Sequence, residues 1–123
     1  MKYIDTNVLV RIITGDIPSQ ATKAINEIQA GGRDEYSMLD AILVELCFVL
    51  EFHEYKMKRT DIVDALGILF ATPQVFVSDT SLATLKIYKK YPKLDYADCL
   101  LFVMGGKDGV LTFDNGLQKI LLK

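Results

Sequence analysis

The feature that most constrains the fold is the alternation of short β-prone segments with longer helical segments along the chain. Short apolar stretches bounded by cap or turn residues predict strands at 2–4, 35–38, 74–77 and 110–112. Apolar residues at helical spacing fill the intervals between them. Strands that alternate with helices form a parallel sheet with helices on both faces. We therefore predict the α/β class, with a single-domain three-layer sandwich over residues 1–123.

Local signals set the expected ends of the helices. Gly15 ends the first helix, and Pro73 lies beyond the end of the fourth. The helices are expected to begin at Asp5, Pro18, Ala41, Thr60, Ser78, Asp95 and Asp114.

Length and composition exclude several classes of protein. The chain has 123 residues, of which 50% are hydrophobic and only 3 are proline, so it can bury one core and is not disordered. Its longest apolar stretch, 41–50, is too short to span a membrane, and the N-terminus lacks the pattern of a signal peptide. Cys47 and Cys99 lie in apolar runs, which predicts buried free thiols and a cytoplasmic location.

The charge balance limits how the chain can bind nucleic acid. Its 14 basic and 16 acidic residues give a net charge of −2, whereas a protein that binds nucleic acid by charge alone should be basic. A polyanionic partner would therefore need a local basic surface, a bound cation, or both.

Two acidic residues are expected where parallel sheets usually carry their sites, beyond the carboxyl ends of the strands. Asp5 directly follows the first predicted strand, and Asp114 follows the last one within two residues. Either residue could also serve only as the N-cap of the next helix, since Asp is favoured at that position.

Glu45 and Asp98 lie within apolar helical sequence. A charged carboxylate in such surroundings is costly unless it is paired, and no Lys, Arg or His lies close to Glu45 in the sequence. Asp95 lies one turn before Asp98, so these two carboxylates would repel each other, although Asp95 also suits the N-cap of that helix. A structural ion pair remains the alternative for Glu45.

Binding of one divalent cation by these acids would explain why several carboxylates occur in apolar surroundings and at strand ends. Carboxylates without His or Cys partners suit Mg²⁺ or Mn²⁺, whereas zinc is disfavoured because His53 is the only histidine and the cysteines are not paired in sequence. Such an ion polarises phosphoryl oxygens and activates water, which is the chemistry of phosphodiester hydrolysis.

Four ordered segments resemble the motifs of PIN domains, the metal-dependent ribonucleases of VapC-type toxins. They are Met1–Leu9, Val44–Leu46, Leu94–Leu100 and Val110–Asp114. The resemblance spans essentially the whole chain. It implies a parallel sheet with an acidic pocket, hydrolysis of RNA to 5′-phosphate and 3′-hydroxyl ends, a homodimer, and inhibition by a small antitoxin protein.

The resemblance also implies roles for individual residues. Asp5, Glu45, Asp98 and Asp114 would be the catalytic acids, and Asp5, Asp98 and Asp114 would bind Mg²⁺ or Mn²⁺ while Glu45 orients or deprotonates the attacking water. The supporting residues would be Asn7, Asp95 and Thr112, with Asn7 positioning water or an acid and Thr112 bonding to a neighbouring acid.

The expected RNA-binding residues are basic and lie near these acids in sequence: Arg11, Lys86, Lys89, Lys90 and Lys93. Lysines neutralise phosphates, and the interleaved Tyr88 and Tyr91 are candidates for stacking on unpaired bases. A solvated helix face is the alternative for the lysines.

Two other functions remain open at this stage. A non-catalytic scaffold with the same fold would bind RNA or protein and keep its acids as helix caps, and it would be indifferent to metal ions. Cleavage of DNA would use the same chemistry, because the contacts to the 2′-hydroxyl that distinguish RNA from DNA are not visible in the sequence.

Overall fold

The structure, a computed structural model, describes residues 1–122 and combines helices with a parallel sheet, which confirms the α/β class. In this range the strands are β1 (Lys2–Tyr3), β2 (Tyr36–Ser37) and β3 (Val75–Phe76). The helices are α1 (Thr6–Thr14), α2 (Pro18–Gln29), α3 (Asp40–Phe52), α4 (Arg59–Phe70), α5 (Asp79–Lys90), α6 (Tyr96–Gly105) and α7 (Asn115–Leu121). None of the helices in the described range is long and apolar enough to cross a membrane.

The chain divides into two compact units, the first covering Met1–Val77 and the second starting at Ser78. The first unit contains the sheet, in the order β1-β2-β3, with all neighbouring strands parallel. Parallel neighbours need a crossover connection, and the pairs α1–α2 and α3–α4 supply it. Helix α1 packs on α2 and α3, and α3 packs on α4. The fully buried side chains of this core are Leu9, Leu43, Leu46, Cys47, Leu50, Ile62 and Leu66.

The helix boundaries in the first unit follow local chemistry in most places. Gly15 adopts the left-handed conformation (φ 63°), and its N–H donates to the Arg11 carbonyl, which ends α1 as predicted. Pro18 begins α2 as predicted. The predicted start of α4 at Thr60 is wrong, because the helix begins at Arg59 and its N-cap, Lys58, makes no side-chain cap bond.

The second unit is helical over most of its described length. Ser78 accepts a hydrogen bond from the Ser81 N–H and caps α5, as the sequence predicts. Helix α5 packs against α6, and the buried rings of Tyr88 and Tyr96 meet edge to face with centroids 5.4 Å apart. The small residue Cys99 is also fully buried.

The predicted strand at 110–112 is wrong, because this segment forms no strand. Polar groups of Thr112 instead make contacts at the start of α7. Its hydroxyl accepts a hydrogen bond from the Asp114 N–H at 3.0 Å, and its carbonyl accepts one from Gln118 Nε2 at 2.8 Å. The segment is therefore an irregular stretch that precedes α7 and is hydrogen-bonded to residues at its start.

Candidate functional site

Three of the predicted acidic residues belong to the second unit, and two of these, Asp95 and Asp98, lie at the start of α6. Asp95 is the N-cap residue, and its Oδ1 accepts a hydrogen bond from the Asp98 N–H at 2.8 Å. The N-cap interpretation of Asp95 is therefore confirmed. Asp98 is half-buried in the first turn of the same helix. The capping bond thus fixes the backbone from which the Asp98 carboxylate projects.

Asp114 is held in a similar way at the start of α7. Its Oδ1 accepts a hydrogen bond from the Leu117 N–H at 2.8 Å, so this residue too is an N-cap. Its own backbone N–H donates to Thr112 Oγ1 at 3.0 Å. Contacts before and after Asp114 in sequence therefore fix its position.

The carboxylates of the second unit interact electrostatically. Burial raises the pKa of Asp98 above its ordinary value of 3.8, and the negative charge of Asp95 raises it further, with a smaller contribution from Asp114. A hydrogen bond between the Asp98 carboxylate and the Asp95 backbone acts in the opposite direction. Asp95 and Asp114 are thus close enough to Asp98 for their negative charges to disfavour its ionised form.

This raised pKa predicts how stability depends on pH in the metal-free protein. A carboxyl whose pKa is higher in the folded state contributes stability below pH 3.8, and this contribution is lost as the pH rises through the raised folded pKa. Asp98→Asn removes the charge, so its urea midpoint in the presence of a chelator should exceed that of the wild type at pH 7, with a smaller difference at pH 3.5. Asp108→Asn, at an exposed acid of the same unit, is the control and should give the same difference at both pH values. A wild-type advantage at pH 7 over Asp98→Asn would contradict the prediction.

Asp98 and Asp114 line one cavity of about 520 Å³ in the second unit. Lys93, Lys119 and Gly116 line the same cavity. A Cβ at position 116 would lie 3.2 Å from Asp114 Oδ1, which is unusually tight, so the glycine leaves space beside that carboxylate. The cavity therefore combines two carboxylates with two cations and open space.

The donor chemistry of this cavity fits a hard divalent cation. A positive ion beside Asp98 would offset the negative charges that raise its pKa, and Mg²⁺ commonly uses one or two carboxylates with water and substrate phosphate as its other ligands. Within residues 1–122, no group of three or more His, Cys, Asp and Glu side chains is arranged to hold a metal ion. The fit therefore rests on the Asp98 and Asp114 carboxylates and on the space that Gly116 provides.

In the first unit, Asp5 and Asn7 line a separate cavity of about 520 Å³ next to α1 and α2. Asp5 occupies the N-cap position of α1 but makes no side-chain cap bond. A capping hydrogen bond therefore does not explain why a carboxylate occurs at this position. Both residues are exposed to solvent. Asp5 thus differs from the two capping residues Asp95 and Asp114, which are also exposed, in that its carboxylate makes no cap bond.

Arg11 lines the same cavity as Asp5 and takes part in a polar network. Its guanidinium donates to Asp16 Oδ2 at 3.2 Å and to Gln20 Oε1 at 3.1 Å. Asp16 also accepts a hydrogen bond from the Tyr55 hydroxyl at 2.8 Å, and this bond is the main reason that the pKa of Asp16 is lowered. Arg11 is therefore positioned near Asp5 by partners of its own.

Glu45 is exposed, so the expectation that it lies within a buried apolar stripe is wrong. The buried side of α3 consists of Leu43, Leu46, Cys47 and Leu50. Glu45 lies on the other side with Phe48 and Phe52, which are 52% and 56% exposed. These exposed phenylalanines make the helix apolar on both sides, which is why the sequence pattern could not show which side is buried.

The predicted RNA-binding lysines are all exposed. They are Lys86, Lys89, Lys90 and Lys93, and Lys93 also lines the cavity of Asp98 and Asp114. Tyr88 is 0% exposed, so the prediction that its ring stacks on bases is wrong. Tyr91 is half-buried, and its ring lies 6.4 Å from that of Phe102. Lys119 was not among the predicted residues, although it follows Asp114 by about one and a half helical turns.

Comparison with known protein families gives one match. The model of the PIN domain family matches residues 2–120, a range that spans both units and includes every candidate acid. No curated protein and no solved structure gives a significant match.

Proposed function

Because the chain belongs to the PIN domain family, whose members are generally nucleases, we propose that it is a metal-dependent endoribonuclease. The observation that supports this most directly is the cavity in which Asp98 and Asp114 lie together, with the pKa of Asp98 raised. Perturbed carboxylates in a cavity are typical of sites that bind cations or transfer protons.

The proposed cofactor is Mg²⁺ or Mn²⁺. The cavity supports Asp98 and Asp114 as its ligands, and the resemblance of the first motif to PIN domains adds Asp5 as a proposed ligand. When bound, the ion would polarise a phosphoryl oxygen and stabilise charge on the leaving oxygen. The capping bonds of Asp95 and Asp114 fix the backbone at α6 and α7, so the carboxylates of Asp98 and Asp114 are already positioned before an ion binds. Thr112 acts as a support because it accepts the Asp114 N–H.

In the proposed reaction, water attacks the phosphorus of an RNA phosphodiester and the bond to the 3′-oxygen breaks. Glu45 orients the water and accepts its proton, and the exposed position of this carboxylate leaves it open to solvent and substrate. Asn7 positions the water or a neighbouring acid. The leaving 3′-oxygen takes up a proton from solvent, which gives 5′-phosphate and 3′-hydroxyl ends.

The finer biological assignment rests on the resemblance of the four sequence motifs to VapC-type toxins. We propose that the chain is the toxin of a toxin–antitoxin pair, acts as a homodimer on cytoplasmic RNA, and is inhibited by a small antitoxin protein. The proposed RNA contacts are Arg11, Lys86, Lys89, Lys90 and Lys93.

Expression of the chain in bacteria should arrest growth, and unimpaired growth with normal protein accumulation would contradict the toxin assignment.

The enzymatic proposal is tested by incubating the protein with total RNA in Mg²⁺, in Mn²⁺ and in a chelator. We expect cleavage in at least one ion, loss of cleavage in the chelator, and recovery when the ion is added back. The new ends should be substrates for a 5′-phosphate-dependent exonuclease. A non-catalytic scaffold would leave the RNA intact in every condition, and single-stranded DNA in a parallel reaction distinguishes a deoxyribonuclease.

A further inference from the structure

Two lysines, Lys93 and Lys119, line the same cavity as Asp98 and Asp114. They come from different parts of the second unit. Lys93 lies in the segment between α5 and α6, and Lys119 lies in the last turn of α7. The cavity is thus bordered by cations from two separate segments.

Within residues 1–122, neither ammonium group forms an ion pair with a carboxylate. The ion pairs in the described part of the chain join Lys2 to Glu35, Arg11 to Asp16 and Arg59 to Glu51, all within the first unit. The charges that shift the pKa of Asp98 are likewise those of other acids. Both lysines are therefore available to bind an anion from outside the chain.

The charges in the cavity also argue for a phosphate-binding role. Asp98 and Asp114 carry two negative charges, which would repel an RNA chain that approached them. Lys93 and Lys119 offset these charges, so a bound divalent ion would leave the cavity net positive. A polyanion is then attracted only when the ion is present.

The length of α7 separates the lysine from the acid at its start. Lys119 follows Asp114 by five residues, a rise of about 7.5 Å along the helix axis, and both residues line the same cavity. This spacing suits a contact of Lys119 with a phosphate next to the one beside the Asp114 carboxylate.

We propose that Lys93 and Lys119 bind the phosphates that flank the scissile phosphate of a single-stranded RNA. This inference rests on the proposed function, because it assumes that the acids of the same cavity act on RNA. It makes Lys119 a substrate-binding residue. It also gives Lys93 a contact next to the scissile phosphate, a role that it does not give to Lys86, Lys89 and Lys90, which do not line the cavity.

The test compares Lys93→Gln, Lys119→Gln and the double variant with Lys107→Gln, at an exposed lysine that does not line the cavity. We expect each cavity substitution to raise KM about 5-fold with kcat nearly unchanged, because a phosphate contact at the surface contributes modestly to binding. The dependence of log KM on log salt should weaken by about 0.7 for each lysine removed. Lys119→Arg should retain most of the affinity, and Lys107→Gln should resemble the wild type.

A second readout does not need cleavage. In a Glu45→Gln background, which keeps the proposed metal ligands and removes the proposed base, binding of a fluorescein-labelled single-stranded RNA is measured by anisotropy in Mg²⁺, with the same lysine substitutions. If the wild type does not cleave RNA, the proposed function fails while this binding assay still reports on the lysines. If the wild type cleaves but Lys119→Gln and Lys107→Gln have equal KM values and equal salt slopes, the inference is overturned.

Discussion

Asp98→Asn should reduce the rate of RNA cleavage by about 10²- to 10³-fold, which corresponds to about 2.7–4 kcal/mol of lost transition-state stabilisation. Asn keeps the size of the side chain and removes the charge that a divalent ion needs. Asp114→Asn should have a similar effect, and it is a sharp test because Asn caps helices about as well as Asp. The bond to the Leu117 N–H can therefore survive while the charge is lost. Initial rates in saturating Mn²⁺ measure both variants.

The matched control for these variants is Asp108→Asn. Asp108 is an exposed acid of the same unit and does not line the cavity. Its substitution should change the rate less than about 2-fold, since it removes the same formal charge at a distance from the site. If Asp98→Asn and Asp108→Asn reduced the cleavage rate equally, the overall charge of the protein, rather than the carboxylates of Asp98 and Asp114, would control cleavage.

Tyr88→Ala should lower the free energy of unfolding by about 3–5 kcal/mol, which is the range for deleting a large buried aromatic side chain. Tyr88 is fully buried and packs edge to face on Tyr96. Tyr88→Phe retains the ring and its contact, so it should retain most of the stability. Urea denaturation followed by circular dichroism measures both variants.

The same pair of variants distinguishes a core residue from a base-stacking one. If Tyr88 only supports the core, Tyr88→Phe should bind single-stranded RNA with unchanged affinity, and Tyr88→Ala should lose stability before any effect on RNA can be assigned. A Tyr88→Ala protein with wild-type stability and weaker RNA binding would show that the ring is accessible after all.

The parts of the fold that were predictable from the sequence depend on local chemistry. Gly15 ends α1 because its conformation suits glycine, and Ser78 begins α5 because its hydroxyl satisfies a backbone N–H. The parallel sheet followed from the order of strands and helices, and β1, β2 and β3 lie within the predicted segments. These features involve residues near one another in sequence, so a single chain is enough to reveal them.

The features that were missed depend on packing, which sequence periodicity does not encode. Glu45 and Tyr88 both lie in helices with apolar residues on more than one side, so the pattern could not identify the buried side. The segment 110–112 has the composition of a strand, but Thr112 bonds with Asp114 and Gln118 instead. Lys119 and Asp98 line the same cavity because of the tertiary arrangement of α6 and α7, which local sequence patterns do not reveal.

The capping bond of Asp114 gives this protein a built-in spectroscopic reporter. The amide proton of Leu117 donates directly to Asp114 Oδ1, so its chemical shift depends on the electron density of that carboxylate. Any species that withdraws charge from Asp114, whether a proton or a cation, would move this single resonance. A titration followed by nuclear magnetic resonance can therefore read the occupancy of the acid from a buried residue of a helix, without RNA and without turnover.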